Sequence, residues 1–67
     1  MPYITVEGPD LEIEKKRDLV RGLTEAASEV FGMEPEKIMV TIRNPGPENF
    51  SIGGELLIDK MKKGYEV

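Results

Sequence analysis

The chain has no cysteine and no histidine in 67 residues. Without cysteine there is no disulfide staple, and without either residue there is no ligand set for structural zinc. A domain of this size buries only about 60% of the surface its unfolded form exposes. Lacking those aids, small chains commonly gain stability by oligomerising, and an oligomer is expected here. Positive charge is also short: nine Lys and Arg stand against thirteen Asp and Glu, a net charge of −4. That excludes the basic footprint of a nucleic-acid binder. The N-terminus lacks a charged start with an apolar stretch behind it, and no long apolar run follows, so neither a signal peptide nor a membrane span is expected. A soluble cytoplasmic protein is the expectation. The acids are scattered over helical and loop positions without a cation-loop spacing, and Asn44 to Asn49 lacks the pattern of a phosphate cradle. Neither a metal nor a nucleotide cofactor is implied.

What the chain has instead is a proline at position 2, directly ahead of an alternating run, Tyr3-Ile4-Thr5-Val6-Glu7. If the initiator Met1 is removed, Pro2 carries a free secondary amine. In a chain without His or Cys, that amine is the group best suited to act as a general base near neutrality, short of a deeply buried carboxylate. Ordinary α-amino groups titrate at about 7.7–8.0. A prolyl amine starts higher, so it needs apolar burial or a nearby cation to lose its proton at pH 7. Pro is equally at home as the first residue of a strand, and the dipeptide alone does not decide between these roles.

The alternation over residues 2–7 has the period of a half-buried strand, with Ile4 and Val6 on the inner face. Gly8-Pro9-Asp10 ends it, and Asp10 suits a helix N-cap. From Glu12 to Phe31 the spacing turns helical. Leu19, Leu23, Ala26 or Ala27, and Val30 form one stripe, widened by Val20 and Phe31. Glu12–Lys16 and Arg21–Glu25 stand at i,i+4 on the polar side, and Gly32 is placed to close the helix. A second strand follows in residues 38–43, with Met39, Thr41 and Arg43 on one face. Residues 44–49 read as a loop, and residues 50–55 as a short extended piece with a Gly53-Gly54 turn. Leu56 to Lys63 shows no decisive period, and residues 64–67 are expected to fray. The whole is one domain, residues 1–67. It reads as an α/β chain holding a single β-α-β unit with parallel strands and a short C-terminal hairpin, its crossover right-handed. Two strands and one helix leave a sheet face and both edges open, so a second copy is expected to complete the fold.

Pro2, a β-α-β unit of this length and Phe50-Ser51-Ile52-Gly53-Gly54-Glu55 together resemble the 4-oxalocrotonate tautomerase family over most of the chain, from Pro2 to about Lys63. Leu19-Val20-Arg21 and Thr24-Glu25-Ala26 fall where the family's helix has similar residues. The resemblance implies a cofactor-independent enzyme that interconverts enol and keto forms of a small 2-oxo acid, with Pro2 as general acid/base. It also implies a homohexamer, a trimer of dimers whose sites draw on neighbouring chains. Phe50 matches the family's aromatic wall. Family members carry one arginine near the start of the helix and another early in the second strand; here Leu11 and Met39 occupy those places, and neither binds a carboxylate. Ser51 stands where the family often has Gly. Arg43 is the preferred replacement cation, ahead of Lys16, Arg17 and Lys37. It shares a strand face with Met39 and lies at the strand's C-terminal end, where ligands gather in parallel α/β folds. Losing both arginines favours a substrate with one carboxylate over a diacid. Two alternatives stay open: an offshoot that hydrates or dehalogenates unsaturated acids, needing a water-activating acid such as Glu7 or Glu48, and a non-catalytic oligomeric ligand-binding scaffold.

Overall fold

The computed structural model describes residues 1–64. Its elements run β1 (Tyr3–Glu7), α1 (Ile13–Phe31), a 3-10 turn (Pro35–Lys37), β2 (Met39–Arg43), β3 (Ser51–Ile52), β4 (Glu55–Leu56) and α2 (Leu57–Lys62). The expected β-α-β unit with its hairpin is present. β1 and β2 pair in parallel, from Tyr3 opposite Met39 to Glu7 opposite Arg43. The Met39 N–H donates to the Pro2 carbonyl at 3.1 Å and the Gly8 N–H donates to the Arg43 carbonyl at 3.1 Å, which extends the ladder at both ends. Ile4 and Val6 are half-buried while Tyr3, Thr5 and Glu7 are exposed, as the alternation requires.

The helix begins later than the sequence pattern indicates. Its N-cap is Glu12, with no side-chain capping bond. Asp10 lies two residues too early to reach the free N–H groups of the first turn. Its carboxylate is instead 3.7 Å from Lys16 Nζ. The expected i,i+4 pairs also give way to i,i+3 pairs, Arg17 with Glu14 and Arg21 with Asp18. All are solvent-exposed and contribute about 0–1 kcal/mol each. Gly32 closes α1 in the left-handed region at φ 67°, where a Cβ is strained, and its N–H bonds the Ser28 carbonyl.

The inward stripe is Leu19, Val20, Leu23 and Ala27, all half-buried, whereas Val30 is 84% exposed and Phe31 59%. Val30 has the right angle around the helix axis but overhangs the sheet. Nineteen helical residues span about 28 Å, and a five-residue strand only about 17 Å.

In the hairpin, Ser51 stands opposite Leu56 and Ile52 opposite Glu55. Gly53 and Gly54 take φ of 63° and 87°, the paired positive values of a type I′ turn. α2 was not legible in the sequence. Its first N–H groups are taken by loop carbonyls: Leu57 N–H by Phe50 at 2.7 Å and Ile58 N–H by Pro47 at 3.0 Å. Gly64 closes α2 through an N–H to the Met61 carbonyl at 3.0 Å; the rest of the tail expected to fray, 65–67, lies outside the described residues.

Among the described residues only Ile38 and Leu57 are buried, at 8% and 9% exposure. The radius of gyration is 15.4 Å, against about 11 Å for a compact chain of this length. The accessible surface is 5373 Å², where a compact monomer of this mass exposes about 4,250 Å². Tyr3 and Met39 stand paired and exposed on the sheet face that α1 does not cover.

Candidate active site

Pro2 immediately precedes β1 and is half-buried. Its carbonyl is pinned to β2 by the Met39 N–H, which holds the residue at the N-terminal edge of the sheet. Met1, on the other side of the Pro2 nitrogen, is 79% exposed, so it is open to processing. Next to Pro2 the Tyr3 hydroxyl lies 2.7 Å from Thr41 Oγ1, across the strand pair on the open face.

Phe50 and Arg43 lie at the other end. Arg43 is the last residue of β2, opposite Glu7, and its guanidinium makes no ion pair among the described residues. Phe50, 44% exposed, precedes β3. It lines a cavity of about 530 Å³ together with Leu57, Met61 and residues of the two strand ends, Glu7 to Asp10 and Asn44 to Pro47. Four strand steps separate the Tyr3–Met39 level from the Glu7–Arg43 level, about 13 Å. One chain therefore does not bring Pro2 together with Phe50 or Arg43. Leu11 is half-buried and Met39 is 42% exposed, so neither arginine place offers a cation. Glu7 lines the Phe50 cavity; Glu48 is exposed on the loop and does not line it.

The cavity was missed by sequence reasoning because Leu57 and Met61, which close its wall, come from α2. One signal was there to read: Pro9, Pro45 and Pro47 cluster after the C-terminal ends of two parallel strands, the edge at which α/β folds bind ligands. The loop between them is stiffened locally, with the Gly46 N–H on Asn44 Oδ1 at 3.1 Å and Asn49 Nδ2 on the Pro45 carbonyl at 3.0 Å. The hairpin is fastened to α2 through Glu55, whose carboxylate accepts from Lys63 Nζ at 2.6 Å and lies 3.7 Å from Lys60 Nζ. The Lys63 hydrogen bond, more than the charge of either lysine, holds Glu55 below the usual glutamate range. Lys63 is raised in turn by the same bond. Among the described residues no group of three or more acids could hold a metal ion, and no helix is long and apolar enough to cross a membrane.

A parallel strand pair linked by one long helix, a proline just ahead of the first strand and an aromatic just ahead of the terminal hairpin define the small β-α-β tautomerase class. The family profile described as "Tautomerase enzyme" matches residues 2–60, beginning at Pro2. The 2-hydroxymuconate tautomerase of Bacillus subtilis is 38% identical over 60 residues, covering 88% of this chain and 97% of its own. The crystal structure of DmpI from Archaeoglobus fulgidus superposes with a TM-score of 0.79 at 41% identity, covering 87% of this chain and all of its own. A 4-oxalocrotonate tautomerase isozyme from Methylibium petroleiphilum gives a TM-score of 0.83 at 25% identity, over 92% and 98% of the two chains. The chain belongs to the 4-oxalocrotonate tautomerase family, and it is an isomerase of the tautomerase type.

Proposed function

We propose that the chain, once Met1 is removed, is a cofactor-independent cytoplasmic tautomerase that interconverts the enol and keto forms of a small 2-oxo acid, with the Pro2 amine as general acid/base. The observation that carries this reading is Pro2 itself. It stands directly before β1, where the family match begins, half-buried and tied to β2 through its carbonyl, so the residue is held in place. The neutral amine takes the proton of the enol hydroxyl and returns a proton to carbon. Such a base works best with a pKa near the operating pH, and an apolar wall lowers an amine toward that value.

The wall is Phe50 of a neighbouring copy. A single chain leaves about 16 Å of strand between Pro2 and the end that carries Phe50. It also leaves Tyr3 and Met39 exposed on an uncovered sheet face, so packing with further copies completes the fold and the site together. A homohexamer built as a trimer of dimers meets both needs. Arg43 lies at the same end of the chain as Phe50 and is followed by Asn44 of the cavity wall, so both arrive at a neighbour's Pro2 from one subunit. Its guanidinium, without an ion pair among the described residues, is suited to grip the substrate carboxylate with two parallel hydrogen bonds.

The test is ketonisation of an enol acid followed by ultraviolet absorbance, with Met-processed protein, across pH about 5 to 9. Turnover that is lost in Pro2→Ala and rises with pH on a limb below about 8 supports a proline base. Full turnover in Pro2→Ala refutes it.

A further inference from the structure

We propose that the cavity around Phe50 takes an uncharged, apolar substituent, so that the preferred substrate is the enol of a 2-oxo monocarboxylic acid bearing an aryl or branched alkyl group. This rests on the reading that Phe50 walls the site to which another copy brings Pro2. The cavity, about 530 Å³, falls within the usual range of small-molecule sites, about 300–1,000 Å³. Phe50, Leu57, Met61 and the three prolines make its walls apolar, and Leu57 is one of the two buried side chains of the described chain.

Charge decides what the substituent is. The ionisable side chains lining the cavity are Glu7 and Asp10, both acids. Asp10 is offset in part by Lys16 at 3.7 Å. Glu7 makes no ion pair among the described residues. Arg43, across the strand pair from Glu7 and outside the lining, is a cation without an ion pair among the described residues, and one guanidinium matches one carboxylate. A second carboxylate placed against Phe50 loses its water to apolar walls and faces like charge. An aryl or alkyl group loses nothing there and gains burial.

The experiment compares kcat/KM for phenylenolpyruvate, a monoacid, with that for 2-hydroxymuconate, a diacid, using Met-processed wild type, Pro2→Ala, Glu7→Gln and Met61→Lys. Met61 is 49% exposed, so the lysine is accommodated without a buried charge at its stem. Wild type is expected to favour the monoacid at least about tenfold. Each of the two cavity variants is expected to raise the diacid-to-monoacid ratio by about three- to tenfold, more at low salt. Proline-dependent turnover that favours the diacid in wild type, or a ratio that stays fixed in both variants, overturns this inference and leaves the tautomerase reading standing. Turnover of neither substrate above Pro2→Ala overturns that reading and this inference with it.

Discussion

Truncating Ile38 to alanine is the sharpest test of how this fold is held. Ile38 is 8% exposed and stands immediately before β2, one of two buried side chains among the described residues. The change removes a methyl, a methylene and a further methyl, worth about 2.4 kcal/mol of transfer free energy. A partly collapsed cavity raises the cost to about 3 kcal/mol. A chain of this size has a stability of only about 3–10 kcal/mol, so the loss is a large share. At about 4–8 °C per kcal/mol, Tm falls by about 12–24 °C. The assay is far-ultraviolet circular dichroism melting at one fixed protomer concentration, because the proposed assembly would make Tm depend on concentration. Val30→Ala is the control: with Val30 84% exposed, it should cost under about 0.5 kcal/mol. A drop below about 4 °C for Ile38→Ala refutes the assignment of the core. An equal drop for Val30→Ala refutes the picture of the helix end as an overhang free of cover.

Three further outcomes follow from the same structure. Glu55 should titrate below the ordinary glutamate value of 4.5, and Lys63→Met should return it toward that value in a carboxyl NMR titration. Because its folded pKa is the lower one, its contribution is present above the unfolded pKa and is lost as pH falls through the folded pKa. Gly54→Ala should destabilise the hairpin by about 1–2 kcal/mol through backbone strain alone, since Gly54 has φ 87° and nothing lies within 4 Å of the added Cβ. Hydrogen exchange at the Leu57 amide, which bonds the Phe50 carbonyl at 2.7 Å, reports that loss. Sedimentation at micromolar protomer should give an assembly, and Met39→Glu on the open sheet face should weaken it; a wild-type monomer under those conditions contradicts the packing argument.

The β-α-β unit was legible because periodicity is a local property. Ile4 and Val6 alternate with polar neighbours, Leu19, Leu23 and Ala27 recur at helical spacing, and paired glycines demand a tight turn. Where tertiary contacts decide, the sequence is mute. α2 is six residues long without a capping side chain, and its start is set by carbonyls of Phe50 and Pro47, which no window over residues 57–62 contains. Asp10 carries the chemistry of an N-cap, yet the helix starts at Ile13 and Asp10 turns to Lys16. Val30 keeps the period of the stripe, yet the sheet ends before it. The proposed site was legible as a set of residues and not as a place. Pro2 and Phe50 are recognisable by type and position, but the parallel register sets them at opposite ends of one chain. A linear motif says nothing about which of its residues come from which copy.

That division suggests the most direct measurement, subunit complementation between Pro2→Ala and Phe50→Ala. On the proposed shared site each variant alone lacks one half and should turn over an enol acid poorly. The two are unfolded together, refolded as an equimolar mixture and assayed at fixed total protomer. If each site takes Pro2 from one chain and Phe50 from another, random assortment restores about a quarter of the wild-type rate. A mixture no more active than the mean of the two separate variants contradicts a site shared between copies.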